Sequence, residues 1–227
     1  TSLFMVEHAQ RLGISSFQCE TSDISFQNAS VKACAYAIEL KDKEILLQEA
    51  SEDINLKDFK CVFMRKDPPV DQDYMNTLHL LDLASSEGAN IINDPSAVKK
   101  FNEKIFALYF AKYIPNTIIT SKVSEIKSFA QDFNEIVIKP LNGMGGESIY
   151  KLNEISSKEE AIIEDLTNQG STSIVGQEFL PEIYDGDFRI LIINGKPFQK
   201  TLARIPQGGS FKGNLAAGGK GVAQDLK

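Results

Sequence analysis

The chain has 227 residues, 42 % of them hydrophobic, enough to bury one large core or two modest ones. A formal net charge of −7, with no basic block to offset it, counts against nucleic-acid binding through phosphate contacts. No apolar run approaches the roughly 18 residues of a membrane span and no signal-peptide pattern is present, so neither nucleic acid nor a membrane is an expected partner.

In chain order, Leu3, Val6 and Ala9 space as one helix face, and Gly13 ends that helix. ISSFQ (14–18) reads as a strand, and AYAIELKDKEILL (35–47) as two strands around Lys41-Asp42-Lys43. The nearly continuous apolar run FKCVFM (59–64) suits a central strand covered on both faces. A helix from Tyr74 to Ser86, stopped by Gly88, leads to a short strand at 90–92. Helix and strand alternating at this spacing predict a parallel α/β layer. Asp94-Pro95 opens the next helix as N-cap and first-turn proline. Phe101, Ile105, Phe106, Tyr109, Phe110 and Tyr113 give the segment that follows a broad apolar face. The first domain is placed at 1–98 and the second at 99–227.

The second domain opens with a strand at 117–120, a helix at 123–133 and the strand EIVIKP (135–140). A strand at 148–152 follows, then a capping box of Ser156 and Glu159 that opens a helix to about Asn168. STSIVGQEFL (171–180) is a further strand. DFRILIIN (187–194) and KPFQKTLARI (196–205) flank Asn194-Gly195, a strong hairpin signal.

Cys19, Cys34 and Cys61 are scattered, without a CxxC pair, and read as thiols of a reducing compartment. His8 and His79, the only histidines, have no second ligand at metal spacing, so histidine-based zinc or acid–base chemistry is unsupported. Between 137 and 150, VIKPLNGMGGESIY, Lys139-Pro140 ends a strand and Gly143, Gly145 and Gly146 follow. Glycines permit close backbone approach, successive N–H groups form an anion nest, and Lys139 adds charge. The loop reads either as a phosphate clamp or as a flexible hairpin. It is neither a Walker A loop, which needs Gly-Lys-Ser/Thr before a helix, nor a G-x-G-x-x-G fingerprint. QEFLPE (177–182) suits a hinge that offers backbone groups to a purine edge. Arg189 and Arg204 flank the hairpin, either as surface ion pairs or as bidentate grips on carboxylates. IPQGGSFKGNLAAGGKG (205–221), with six glycines, is either a linker or a mobile lid.

MRKDPP (64–69), NEK (102–104), KPLNGMGG (139–146), DGDFR (185–189) and ARIPQGGSFKGNLAAGGKG (203–221) carry a resemblance over nearly the whole chain. On these stretches it resembles the bacterial glutathione synthetases, within the ATP-grasp carboxylate–amine ligases. The resemblance implies an α/β fold: a parallel α/β domain, then an ATP-grasp domain with antiparallel sheet and glycine-rich loop. It implies ATP-dependent ligation of γ-glutamylcysteine with glycine through an acyl phosphate, in a cytoplasmic homotetramer, with Mg²⁺ or Mn²⁺. Another ATP-grasp ligase and a non-catalytic ATP-binding fragment are the alternatives. By resemblance, Lys104 and Lys139 hold nucleotide phosphates, and Gly143, Met144, Gly145 and Gly146 cover them. Gln177, Glu178, Phe179 and Leu180 form the adenine hinge. Arg189 and Arg204 anchor substrate and transition state, and Lys212 and Asn214 contact substrate. The family often has arginine at the lid positions where Lys212 and Lys220 stand. Its metal ligands are expected beyond Lys227 and its opening strand before Thr1. The chain therefore reads as incomplete at both ends, and no metal ligand is assigned.

Overall fold

The structure, a computed structural model, describes residues 2–42, 44–66, 69–143 and 145–226. Lys43 of the first predicted hairpin, Asp67 and Pro68 of MRKDPP, Met144 of the glycine loop and the two terminal residues lie outside the described residues. The chain divides into two compact units, Thr1–Ile105 and Phe106–Lys227.

In the first unit, helix α1 (Ser2–Arg11) precedes strands β1 (Ser16–Gln18), β2 (Ile24–Gln27), β3 (Ser30–Lys41) and β4 (Glu44–Asn55). Strand β3 pairs antiparallel with the other three. Its side chains alternate as a half-covered strand requires: Val31, Ala33 and Ala35 are buried, with Lys32, Cys34 and Tyr36 between them. Strand β5 (Val62–Phe63), helix α2 (Gln72–Ser86), strand β6 (Ile91–Ile92) and helix α3 (Pro95–Lys100) complete the unit. The Asp71 carboxylate caps α2 by accepting the Tyr74 N–H at 2.9 Å. Leu78, Leu81 and Ala84 of α2 join Val31, Ala33, Leu56 and Ile91 in the core.

The parallel α/β unit that the alternation predicted is present in β5, α2 and β6, Val62 opposite Ile91, and parallel pairing among the described residues is confined to it. The larger sheet is antiparallel because tight turns join β2 to β3 and β3 to β4, whereas parallel neighbours need a crossover. FKCVFM is not a doubly covered strand: only Val62–Phe63 is extended in the sheet, and Phe63 is 44 % exposed.

The second unit opens on a 3-10 stretch, Phe106–Tyr113, kinked at Phe110. The apolar pattern predicted a broad apolar face there, and Tyr109 and Tyr113 are 80 % and 75 % exposed. Then come β7 (Thr117–Thr120), α4 (Val123–Ala130), β8 (Ile136–Pro140), β9 (Tyr150–Leu152), α5 (Ser157–Leu166) and β10 (Ile174–Glu178). These strands form an antiparallel sheet in the order β7-β10-β8-β9. Ile136, Ile138 and Ile174 on one face of the sheet pack against Ile126 of α4 and Ile163 of α5. A second antiparallel sheet, in chain order, holds β11 (Asp187–Ile193), β12 (Lys196–Ile205) and β13 (Lys220–Asp225). Asn194 and Gly195, both at positive φ, make the β11–β12 turn. Lys220 and Gly221, the end of the predicted lid, belong to β13 and pair with β12.

The Ser156 capping box is present: its hydroxyl accepts the Lys158 N–H, and its own N–H donates to Glu159 at 3.2 Å. Ser156→Ala is expected to cost about 1 kcal/mol in urea unfolding. Hydrogen bonds from the Ser156 hydroxyl and from backbone N–H groups hold the Glu159 carboxyl below its ordinary value of 4.5. A carboxyl lowered by folding contributes stability that is present above its unfolded pKa and is lost as pH falls through the folded one. The Ser156→Ala penalty is therefore expected to shrink as urea midpoints are measured at pH values stepping down from 4.5.

Candidate active site

Strand alternation builds the site. In β8, Ile136 and Ile138 point into the core, so Val137 and Lys139 point to the opposite face. In β10, Gln177 lies opposite Val137 and diagonal to Lys139. The Lys139 ammonium donates to Gln177 Oε1 at 2.6 Å, and Gln177 Nε2 donates to Thr117 Oγ1 at 2.8 Å. The Thr117 hydroxyl donates to the Pro115 carbonyl at 2.7 Å. One lysine is thus oriented through a relay spanning three strands.

Lys139 and Gln177 border a cavity of about 270 Å³. Val137, Ile149, Phe179, Leu180 and Phe211 supply apolar wall, while Glu178, Asp187, Lys212 and Asn214 supply polar groups. Apolar walls with a few convergent polar groups are the usual form of a small-molecule site. The Glu178 carboxylate accepts from Asn116 Nδ2 at 2.8 Å. In the hinge, the N–H groups of Glu178 and Phe179 donate to the carbonyls of Asn116 and Glu135, and the Leu180 carbonyl accepts from Ile183. These three backbone groups bond within the protein.

The glycine loop has specific steric reasons. A side chain at Gly143 would meet the Pro140 ring, its Cβ only 2.5 Å from Cγ. Gly146 is buried at φ +87, where a Cβ would stand 3.1 Å from Asn214 Oδ1. The loop and the 205–221 segment therefore meet at Gly146 and Asn214.

The arginines divide. Arg204 lies directly opposite Asp187 across β12 and β11, and its Nη2 donates to the Asp187 carboxylate. The Arg204 side chain is 14 % exposed, and its Nε is buried without a partner among the described residues. Asp187 reaches the cavity wall; Arg204 acts beside it. Arg189 is exposed on β11, opposite Leu202 and away from the cavity wall. Lys104 belongs to the first unit, where its ammonium lies 3.1 Å from Glu103.

The structure thus brings Lys139, Gln177, Glu178, Phe179, Leu180, Lys212 and Asn214 to one cavity. Sequence reasoning missed Asp187, Phe211, Ile149 and Val137. The signal for Val137 was the strand alternation that exposes Lys139, and for Asp187 its place in DGDFR. Phe211 carries no such signal.

Cys19, Cys34 and Cys61 are not in disulfide bonds. Burial, aided by Asp23 and Glu20, pushes Cys19 up to about 11, which makes it a poor nucleophile at neutral pH. Among the described residues no three His, Cys, Asp or Glu side chains converge to hold a metal ion. No helix among them is long and apolar enough to cross a membrane.

Comparisons with known proteins agree along the chain. Residues 1–99 match the family model of the prokaryotic glutathione synthetase N-terminal domain, and residues 103–227 that of its ATP-grasp domain. The glutathione synthetase of Vibrio parahaemolyticus serotype O3:K6 is 39 % identical over 228 aligned positions, covering 100 % of this chain and 72 % of the relative. The Salmonella typhi glutathione synthetase is 37 % identical with the same coverage. Among solved structures, the ATP-grasp ligase PsnB complexed with precursor peptide PsnA2 and AMPPNP aligns at TM-score 0.56 and 16 % identity, covering 98 % of this chain and 70 % of that one. Macrocyclase MdnC from Microcystis aeruginosa MRC aligns at TM-score 0.57 and 15 % identity, covering 100 % and 75 %. At such identities these two speak to the fold, which is that of the ATP-grasp ligases. On two family models that together cover nearly the whole chain, and relatives above one-third identity, the chain belongs to the prokaryotic glutathione synthetases.

Proposed function

We propose that the cavity between β8, β10 and the 205–221 segment is the ATP site of this glutathione synthetase, with Lys139 as its phosphate-facing cation. The enzyme is an ATP-dependent carboxylate–amine ligase: γ-glutamylcysteine and glycine are joined to give glutathione, with ATP converted to ADP and phosphate. The observation that carries the site reading is the Thr117–Gln177–Lys139 relay, which aims an ammonium at the cavity beside the glycine loop.

Phosphoryl transfer needs positioning and charge stabilisation more than a general base. Lys139 meets that need. Gly143, Met144, Gly145 and Gly146 cover the phosphates, and Gln177 to Leu180 flank the base. Arg189 and Arg204 anchor the peptide carboxylates and the transition state, and Lys212 and Asn214 contact substrate from the lid. An acyl phosphate is lost if water reaches it, so closure of residues 205–221 over the cavity protects the intermediate. The Gly146–Asn214 approach supports that closed position. Residues 1–98 serve as the preceding α/β domain and 99–227 as the ATP-grasp domain.

Mg²⁺, or Mn²⁺, is proposed to arrive with the triphosphate; the described side chains make no cage of three carboxylate, histidine or thiol ligands for it. Cysteines that are not in disulfide bonds support a cytoplasmic location. Exposed Leu3 and Phe4 on α1 support assembly into a homo-oligomer, with a tetramer as the proposed form.

The test is phosphate release from the protein with Mg-ATP, γ-glutamylcysteine and varied glycine. Release that saturates with glycine is expected. Release indifferent to glycine, or supported equally by other amines, overturns the assignment of glycine as acceptor.

A further inference from the structure

Phe179 is held in the cavity wall by several groups. The Lys151 ammonium lies 4.5 Å from its ring centroid. Tyr184 and Phe211 meet the ring steeply, at interplanar angles of 68° and 84° and centroid distances of 6.2 and 6.1 Å. Lys151 is anchored in turn by Glu135 at 2.9 Å, and the backbone carbonyl of the same Glu135 accepts the Phe179 N–H at 3.0 Å. Glu135, the residue before β8, therefore fixes both the backbone of Phe179 and the cation over its ring. Phe211 comes from the 205–221 segment and lines the cavity; Lys151 does not.

We propose that Lys151 is a positioning residue for the nucleotide base: its ammonium clamps the Phe179 ring, and that ring seats Phe211 of the lid at the base end of the cavity. The role rests on ATP occupying this cavity as proposed above. A cation over a ring face fixes the ring by electrostatic attraction to its quadrupole. A fixed ring offers Phe211 a defined partner for edge-to-face packing. The contact is apolar, so it favours a ligand that carries an aromatic base over one that carries phosphates alone.

Titration calorimetry of the protein with ATP and with inorganic tripolyphosphate tests this. Tripolyphosphate presents a comparable string of phosphates without the base. Lys151→Met is expected to weaken ATP binding about threefold to tenfold and to leave tripolyphosphate within about twofold. Lys151→Arg is expected to restore ATP affinity, because a guanidinium can occupy the same place over the ring. Equal losses for both ligands in a variant that remains folded by circular dichroism assign Lys151 to the phosphates and overturn the proposal, as does unchanged ATP affinity. Should loss of the Glu135 partner unfold Lys151→Met, Phe211→Leu tests the same relay without touching that ion pair. Weakened ATP with retained tripolyphosphate supports it, and retention of both overturns it. Lys139→Met, which weakens both ligands if ATP occupies the cavity, separates failure of the site reading from failure of the relay.

Discussion

Lys139→Met is expected to weaken ATP binding by about ten- to a hundredfold, the range set by about 1.5–3 kcal/mol for a hydrogen bond to a charged group. Methionine keeps most of the apolar stem and removes the ammonium. It also frees Gln177 Oε1, which the ammonium engages at 2.6 Å. That loss is shared by free and bound states and adds little to the difference. The neighbouring Ile138 is fully buried and untouched, so the melting temperature is expected to change by only a few degrees. Calorimetric titration with ATP beside a thermal melt checks both halves. Unchanged nucleotide affinity in a folded variant would remove Lys139 from the phosphate site.

Arg204→Ala is expected to lower kcat/KM for γ-glutamylcysteine by about tenfold or more, since a hydrogen bond to a charged group is worth about 1.5–3 kcal/mol. Two roles are open to the guanidinium: it holds the Asp187 carboxylate at the cavity wall, and its buried Nε is a donor without a partner among the described residues. Asp187→Asn separates them. If Arg204 serves only to orient Asp187, both variants lose activity alike. If its remaining donors grip substrate, Arg204→Ala raises KM for γ-glutamylcysteine well beyond Asp187→Asn. The substrate-anchor assignment requires the second pattern. A large loss of thermal stability with turnover intact contradicts both roles.

Much of the second unit was legible because its signals are local. Ser156 and Glu159 cap a helix within one turn, and Asn194-Gly195 closes a hairpin with the two positive φ values that its strands require. The β2–β3 hairpin was missed because Ala29 holds a φ of +58 at a turn position where glycine is the usual signal. The segment 106–113 misled because its apolar period matched a helix, while the Asn102 carboxamide engages the N–H groups of Lys104 and Ile105 just before it. With the kink at Phe110, the Phe106 ring packs against Tyr109 and Phe110, and Tyr109 and Tyr113 stay exposed.

By itself, then, the sequence determined the family, the ligase chemistry and the strands on which Lys139 and Gln177 ride, since motifs and strand periods are written in consecutive residues. Only the tertiary structure decided which side chains converge. Register across β7, β10 and β8 joins Thr117, Gln177 and Lys139 into one relay, and a one-residue slip would turn each of them to the other face. Asp187, Lys151 and Phe211 enter the argument for the same reason: their partners Arg204 and Phe179 stand 17, 28 and 32 positions away in the chain, and folding alone brings them together.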